Sequence, residues 1–298
     1  MPENRLPHKA KWWIRTDFDD SVQCLLCPRH CVISPGKTGF CSIRKNIDSN
    51  LYTMAYGYPV GLQVDPIEKK PIYHFLPGTK TLSLGTYGCN LNCCYCQNHH
   101  LSRGKYSQQC GEKFFSPQSI ADIAINHGCK SIAFTYNEPL IWSEYLMDIA
   151  KCAKKMGLST ILVSNGYIEM NAAEEVFTDI DAANFDMKGF SQDFYKTMTK
   201  GNLNKVLETI KYFFSLNKHL ELTNLVIPGK NDSNEMIMDY LNWLRANLNL
   251  EVPLHFSAFH PDYLLLDLPF TPVDKLRNIK KLAQKMGFVN VHLGNIRL

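Results

Sequence analysis

From residue 81 onward the apolar positions alternate between two periods. The short runs "TLSLGTYG" (81–88), "SIAFTYN" (131–137), "STILVSNG" (159–166), "DAANFDMKG" (181–189), "LELTNLVIPG" (220–229) and "PLHFSAFHP" (253–261) are rich in β-branched and aromatic residues and read as strands. Between them, residues 116–128, 140–157, 171–177, 204–216, 233–248 and 271–287 carry apolar residues at three- and four-residue spacing, several opened by Ser or Pro and closed by Gly, and read as helices. "NVHLGNI" (290–296) offers a seventh strand.

This alternation predicts an α/β protein whose parallel strands are joined by helical crossovers. A doubly wound sheet and a partial (β/α)6 TIM-like barrel both fit the count. Polar residues gather at the C-terminal strand ends, in "TYGC", "TYNEP", "VSNG", "FDMKG", "VIPGKND" and "AFHPD". A barrel brings all those ends around one mouth, and this favours the barrel. Residues 1–80 sustain neither period and hold proline, charge and cysteine. They are expected to form an N-terminal cysteine-rich, linking region on a barrel of residues 81–298.

Hydrophobic residues make up 45% of the 298, enough for a substantial core. A net charge of +4 argues for neither nucleic acid nor membrane as a partner. No apolar leader or membrane-length run is present, so a cytoplasmic location is the expectation. In a reducing compartment eleven cysteines point to metal or redox chemistry rather than disulfides. Cys110, Cys129 and Cys152 are scattered and read as small buried hydrophobes. The other eight form two clusters.

In "GCNLNCCYCQN", Cys89, Cys93 and Cys96 have C-x3-C-x2-C spacing, with Cys94 as an extra. Structural zinc usually takes four ligands. A cubane iron–sulfur cluster takes one thiolate per iron, so three from one loop leave an iron open to a small chelating ligand. A structural zinc loop is the competing reading. The pattern, with an aromatic before its last cysteine, resembles the signature of radical S-adenosylmethionine (SAM) enzymes. That resemblance implies a radical SAM-type partial barrel in which Cys89, Cys93 and Cys96 hold a 4Fe–4S cluster that cleaves SAM reductively. The resulting 5′-deoxyadenosyl radical would abstract hydrogen from a substrate. It further implies SAM contacts from Tyr95, Glu138, Ser164, Asn165, Asp186 and Lys188. "TYNEP" departs from the family's glycine-glycine-glutamate, although Glu138 keeps the acid.

"FDMKG" and "VIPGKND", with Asn231 and Asp232, also resemble pyruvate formate-lyase activating enzymes, which makes a glycyl-radical activase acting on a protein partner the alternative. "CLLCPRHC…GKTGFC", "DPIEKKPIYHFLPG", "FTYNEP" and "HLGN" together resemble the AmmeMemoRadiSam system radical SAM proteins, implying Memo-like and AMMECR-like partners and an electron donor. A non-enzymatic alternative is a zinc-stabilised binding module.

The first cluster, Cys24, Cys27, Cys31 and Cys41, suits one four-thiolate site, with structural zinc and an auxiliary iron–sulfur cluster both open. "VDPIEKKPIYHF" reads either as a solvated connection or as a source of Glu68 and Lys69 for substrate contacts. His260, near a strand end, is a candidate proton handler.

Overall fold

The computed structural model describes residues 7–17, 19–106 and 113–296. Its main sheet has eight strands: β1 Gly61–Pro66, β2 Lys80–Gly85, β3 Ser131–Phe134, β4 Ser159–Ser164, β5 Ala182–Asp186, β6 His219–Val226, β7 Leu254–Ala258 and β8 Val291–Gly294. They lie in sequence order from β1 to β8. The pairs from β2 to β8 are all parallel, and β1 runs antiparallel to β2. The barrel expectation holds, and the seventh strand offered by residues 290–296 is present as β8. Strand β1, which no periodicity announced, comes from the region N-terminal to residue 80 and caps the barrel's first edge.

The crossovers are α1 Pro117–Asn126, α2 Ser143–Lys155, α3 Met170–Val176, α4 Leu203–Ser215, α5 Asn234–Asn247 and α6 Val273–Lys285. Their starts follow local chemistry. Ser116 accepts from the Ser119 amide, Asn202 from the Asn204 amide and Ser233 from the Met236 amide, each satisfying a donor that the first turn leaves free. Among the described residues no helix is long and apolar enough to cross a membrane.

Strand alternation sorts the two faces. Leu82, Leu84, Ile132, Phe134, Leu162, Phe185, Leu222 and Phe256 join the main core. The other face looks into the barrel, where Ala133, Ile161 and Ala182 pack on Ile67 and Ile72 in a second, smaller core. Residues 67–76 thus form a strap across the barrel interior. It is pinned by polar bonds: the Pro71 carbonyl accepts from Asn184 Nδ2, and the Tyr73 and His74 amides both donate to Glu221 Oε1 at 2.8 Å.

Glu221 is fully buried and also accepts from His219 Nε2 (2.9 Å) and His255 Nε2 (2.5 Å). Burial alone would raise its pKa, but these hydrogen bonds override it and hold the carboxyl at about 2. Burial and the neighbouring His255 and His74 push His292 down to about 4, so it stays neutral near pH 7.

Ahead of the barrel sit two small antiparallel sheets. One joins His8–Lys9, Asn50–Thr53 and Arg44–Ile47, and the other Trp13–Arg15, Val22–Cys24 and Val32–Ile33. Arg44, 1% exposed, clamps this layer to the barrel. Its guanidinium donates to both carboxylate oxygens of Glu144 on α2, at 2.9 and 3.2 Å, and to the Lys11 and Ile141 carbonyls.

A depressed carboxyl stabilises the fold above its unfolded pKa, and that contribution is lost as pH falls. Between about pH 4.5 and 2, wild-type stability should therefore drop more steeply than that of Glu221→Gln. Urea midpoints across that range check this; parallel curves would contradict the role assigned to Glu221.

Candidate active site

The C-terminal strand ends open on a cavity of about 330 Å³. Cys89, Cys93 and Cys96 lie on its wall together with Tyr95, Glu138, Asn165, Asp186 and Lys188. Cys94 is turned out of it. Its amide donates to the Met198 carbonyl, and its Sγ lies 3.9 Å from Met198 Sδ. The loop itself is held from several sides. The Leu91 amide approaches Cys89 Sγ at 3.4 Å, Asn165 Nδ2 approaches the same sulfur at 3.8 Å, and Ser102 Oγ lies 3.2 Å from Cys96 Sγ.

Burial pushes the Cys93 thiol up to about 11 and drives Cys89 upward as well. Only the thiolate ligates metal, so a metal group bound here would replace the thiol protons. Among the described residues no three Cys, His, Asp or Glu side chains converge on a single ion. Three thiols on one wall suit a cubane, which takes one thiolate per iron, whereas structural zinc takes four ligands.

Glu138 ends the segment after β3 and is 1% exposed. Its Oε1 accepts from the Leu140 amide (2.9 Å) and Ser164 Oγ (2.7 Å), and its Oε2 from the Asn165 amide (2.8 Å). Burial still pushes its pKa up to about 7. Ser164 spends its hydroxyl on Glu138 and is not on the cavity wall. Lys188 Nζ pairs with Asp186 Oδ2 at 2.9 Å. Burial would lower the Lys188 pKa, but the Asp186 carboxylate beside it more than compensates and holds the ammonium charged.

The "TYNEP" departure has a structural answer. Tyr136 takes a positive φ of 70°, and its ring lies against Gly61, while a side chain on Gly85 would run into the Thr135 carbonyl and Tyr136 Cβ. Its hydroxyl donates to Asp65 (3.0 Å). Asn137 Nδ2 donates to Thr86 Oγ1 and to the Tyr87 and Gly88 carbonyls, so it splices the β3 end to the cysteine loop. Neither role was visible in the sequence, because both depend on β1 and β2 lying alongside β3.

The candidates in the linking segment separate. Lys69 lines the cavity and pairs with Asp65 at 2.8 Å, as does the buried Lys70. Burial would raise Asp65, but the bonds from Lys69 and Lys70 hold it well below the usual carboxylate range. Glu68 points elsewhere and accepts from the Gly78 amide. His260 stands behind the wall, 2.9 Å from the lining residue Gln97 and 3.6 Å from Asp262. Asn231 bridges the Lys188 and Leu225 carbonyls, and Asp232 accepts from Gly229, so both shape the mouth rather than line it. Cys129 is buried and Cys152 half-buried, and Cys110 falls outside the described residues.

Residues 83–241 match the profile of the Radical SAM superfamily. An uncharacterised protein of Methanocaldococcus jannaschii is 40% identical over 278 residues, 93% of this chain and 82% of its own length. The pyruvate formate-lyase-activating enzyme of Clostridium pasteurianum is 24% identical, over 70% of this chain and 92% of its own. Among solved structures, a radical SAM methyltransferase from Sphaerobacter thermophilus shares the fold with a TM-score of 0.56 at 11% identity, covering 96% of this chain and 76% of that one. QueE from Escherichia coli does so with a TM-score of 0.52 at 14% identity, covering 79% and 93%.

Because Cys94 faces Met198, Cys94→Ala should keep the iron and sulfide of anaerobically reconstituted protein. Cys93→Ala should lose about four irons per chain. Equal losses in the two variants, by colorimetric iron assay, would show the ligand choice to be wrong.

Proposed function

This chain belongs to the radical SAM superfamily, and from that premise we propose that Cys89, Cys93 and Cys96 hold the family's 4Fe–4S cluster with one iron left for SAM. The protein is a radical SAM enzyme, distantly related to glycyl-radical activating enzymes. When bound, cluster and SAM supply one-electron cleavage of the sulfonium to a 5′-deoxyadenosyl radical that takes hydrogen from substrate. The observation that carries the ligand assignment is the shared cavity wall, which holds these three thiols and leaves out Cys94.

In this reading the chain's own groups bind and orient. Lys188, kept charged beside Asp186, pairs with the SAM carboxylate. Tyr95 packs on the adenine, while Glu138 meets the amine and holds Asn165 and, through Ser164, the end of β4. Lys69 presents a cation to an anionic group of the substrate. Glu68 and His260 are left with positioning roles. Residues 1–80 act as the cysteine-rich linking region, whose last part adds a strand and the strap to the catalytic barrel of residues 81–298.

The finer assignment we favour is an AmmeMemoRadiSam system enzyme, cytoplasmic, working with Memo-like and AMMECR-like proteins and an electron donor. Its support is the "DPIEKKP" block: Asp65, Lys69 and Lys70 form one ion-pair group, and the strap begins there. The 24% identity to a pyruvate formate-lyase-activating enzyme supports a second reading, activation of a glycyl-radical partner. A glycyl-radical spectrum on such a partner after incubation would select it.

Reduced, reconstituted protein should convert SAM to 5′-deoxyadenosine and methionine, read by liquid chromatography. No product from fully loaded protein would overturn the proposal. Lys188→Ala should raise the KM for SAM about 10- to 100-fold, the worth of a hydrogen bond to a charged group. An unchanged KM would remove Lys188 from the SAM site.

A further inference from the structure

One side chain of the N-terminal region, Arg29, reaches the cysteine loop of the barrel. It stands in "CPRHC" between Cys27 and Cys31, which with Cys24 and Cys41 line a small second cavity. The turn that carries Arg29 is docked without help from its side chain. The His30 amide donates to the Cys27 carbonyl (3.1 Å), His30 Nε2 lies 3.1 Å from Glu169 Oε1, and the Glu169 amide donates to the Leu26 carbonyl (3.0 Å). The half-buried guanidinium lies over the Phe40 ring, 3.5 Å from its centroid. From there its Nε donates to the Asn90 carbonyl and its Nη2 to the Lys200 carbonyl (2.6 Å).

The Asn90 carbonyl and the Leu91 amide belong to one trans peptide unit, so they point in opposite directions. The carbonyl meets Arg29, and the amide faces Cys89 Sγ at 3.4 Å. A cation on the oxygen draws electron density from the peptide and makes its N–H a stronger donor. This peptide is also fixed in place. The buried Asn90 side chain donates to the Tyr167 carbonyl (2.6 Å) and accepts from Asn165 Nδ2 (2.9 Å). Arg103 holds the flanking carbonyls of Cys89 and Leu91. On the Leu91 side the peptide's own N–H, that of Asn92, goes to the Thr199 carbonyl (2.8 Å) and not to a sulfur. Arg29 itself is not on the wall of the active-site cavity, so any effect it has there passes through the loop.

We propose that Arg29 is a positioning residue for the radical SAM reaction: through the Asn90–Leu91 peptide it strengthens the N–H···S bond to Cys89 and so raises the reduction potential of the 4Fe–4S cluster that this thiol holds. Hydrogen bonds to ligand sulfur and nearby positive charge both favour the more electron-rich, reduced form of such a cluster. The N-terminal region thereby takes a part in the chemistry of the barrel. The inference rests on the reading of Cys89, Cys93 and Cys96 given above, and the experiment separates the two.

Full-length wild type, Arg29→Met, Arg29→Gln and Arg29→Lys are reconstituted anaerobically, and the midpoint potential of each is read by electron paramagnetic resonance during reductive titration. The neutral variants should keep their iron and the SAM-sensitive signal. At a given potential they should hold about tenfold less reduced cluster, a midpoint about 59 mV lower for one electron. Arg29→Lys keeps the cation and should recover most of that difference. An unmoved midpoint in either neutral variant that keeps its cluster would overturn the proposal. So would an equal drop in Arg29→Lys, which would trace to disturbed packing rather than to the cation, or loss of iron from both neutral variants, which would make Arg29 a structural support. Wild type without a SAM-sensitive signal would instead overturn the assignment of Cys89, Cys93 and Cys96.

Discussion

The buried pair of Arg44 and Glu144 sets the relation between the two halves of the molecule. Both side chains are nearly inaccessible, and the bidentate contact is completed by the Lys11 and Ile141 carbonyls, while the Lys11 amide returns a bond to Glu144. Removing one partner from such a pair strands the other and costs about 3–5 kcal/mol. The pair therefore holds the Arg44–Ile47 strand against α2 in the register observed. That register sets the Cys41 carbonyl against Gly88, which no side chain would permit, and so brings the two cysteine groups together.

A second set of buried charges works from inside the barrel. Ala133, Ile161 and Ala182 on the interior faces pack against Ile67 and Ile72 of the strap of residues 67–76, which fills the space there. Asp65 gathers Lys69, Lys70 and Tyr136 at one end of the strap, and Glu221 gathers two strap amides and two histidines at the other. Pro71 and Lys69 consequently become part of the cavity wall, facing Asp186 and Lys188 across it. A segment that reads as a charged connection in one dimension is a structural part of the active site in three.

The repeating units were legible from residue 81 because each helix and strand carries its own period, and caps such as Ser116 and Ser233 mark the starts locally. The three spaced cysteines were legible for the same reason: their geometry is that of one short loop. Strand β1 was not, since its pattern of exposed Gln63 and Val64 against buried Asp65 follows from pairing with β2 and from an ion-pair group assembled across the sheet.

The sequence by itself thus determined the order of elements, the strand ends that converge and the thiols that can share one loop, all properties of residues close in the chain. Only the tertiary structure decided that Cys94 faces outward, that Tyr136 and Asn137 stand where glycines are expected, that Lys69 rather than Glu68 reaches the cavity, and that the two cysteine groups adjoin. Each of these depends on contacts between residues far apart in sequence, such as Tyr136 with Asp65 or Cys41 with Gly88. Local spacing carries no information about such contacts, because burial and strand pairing create them.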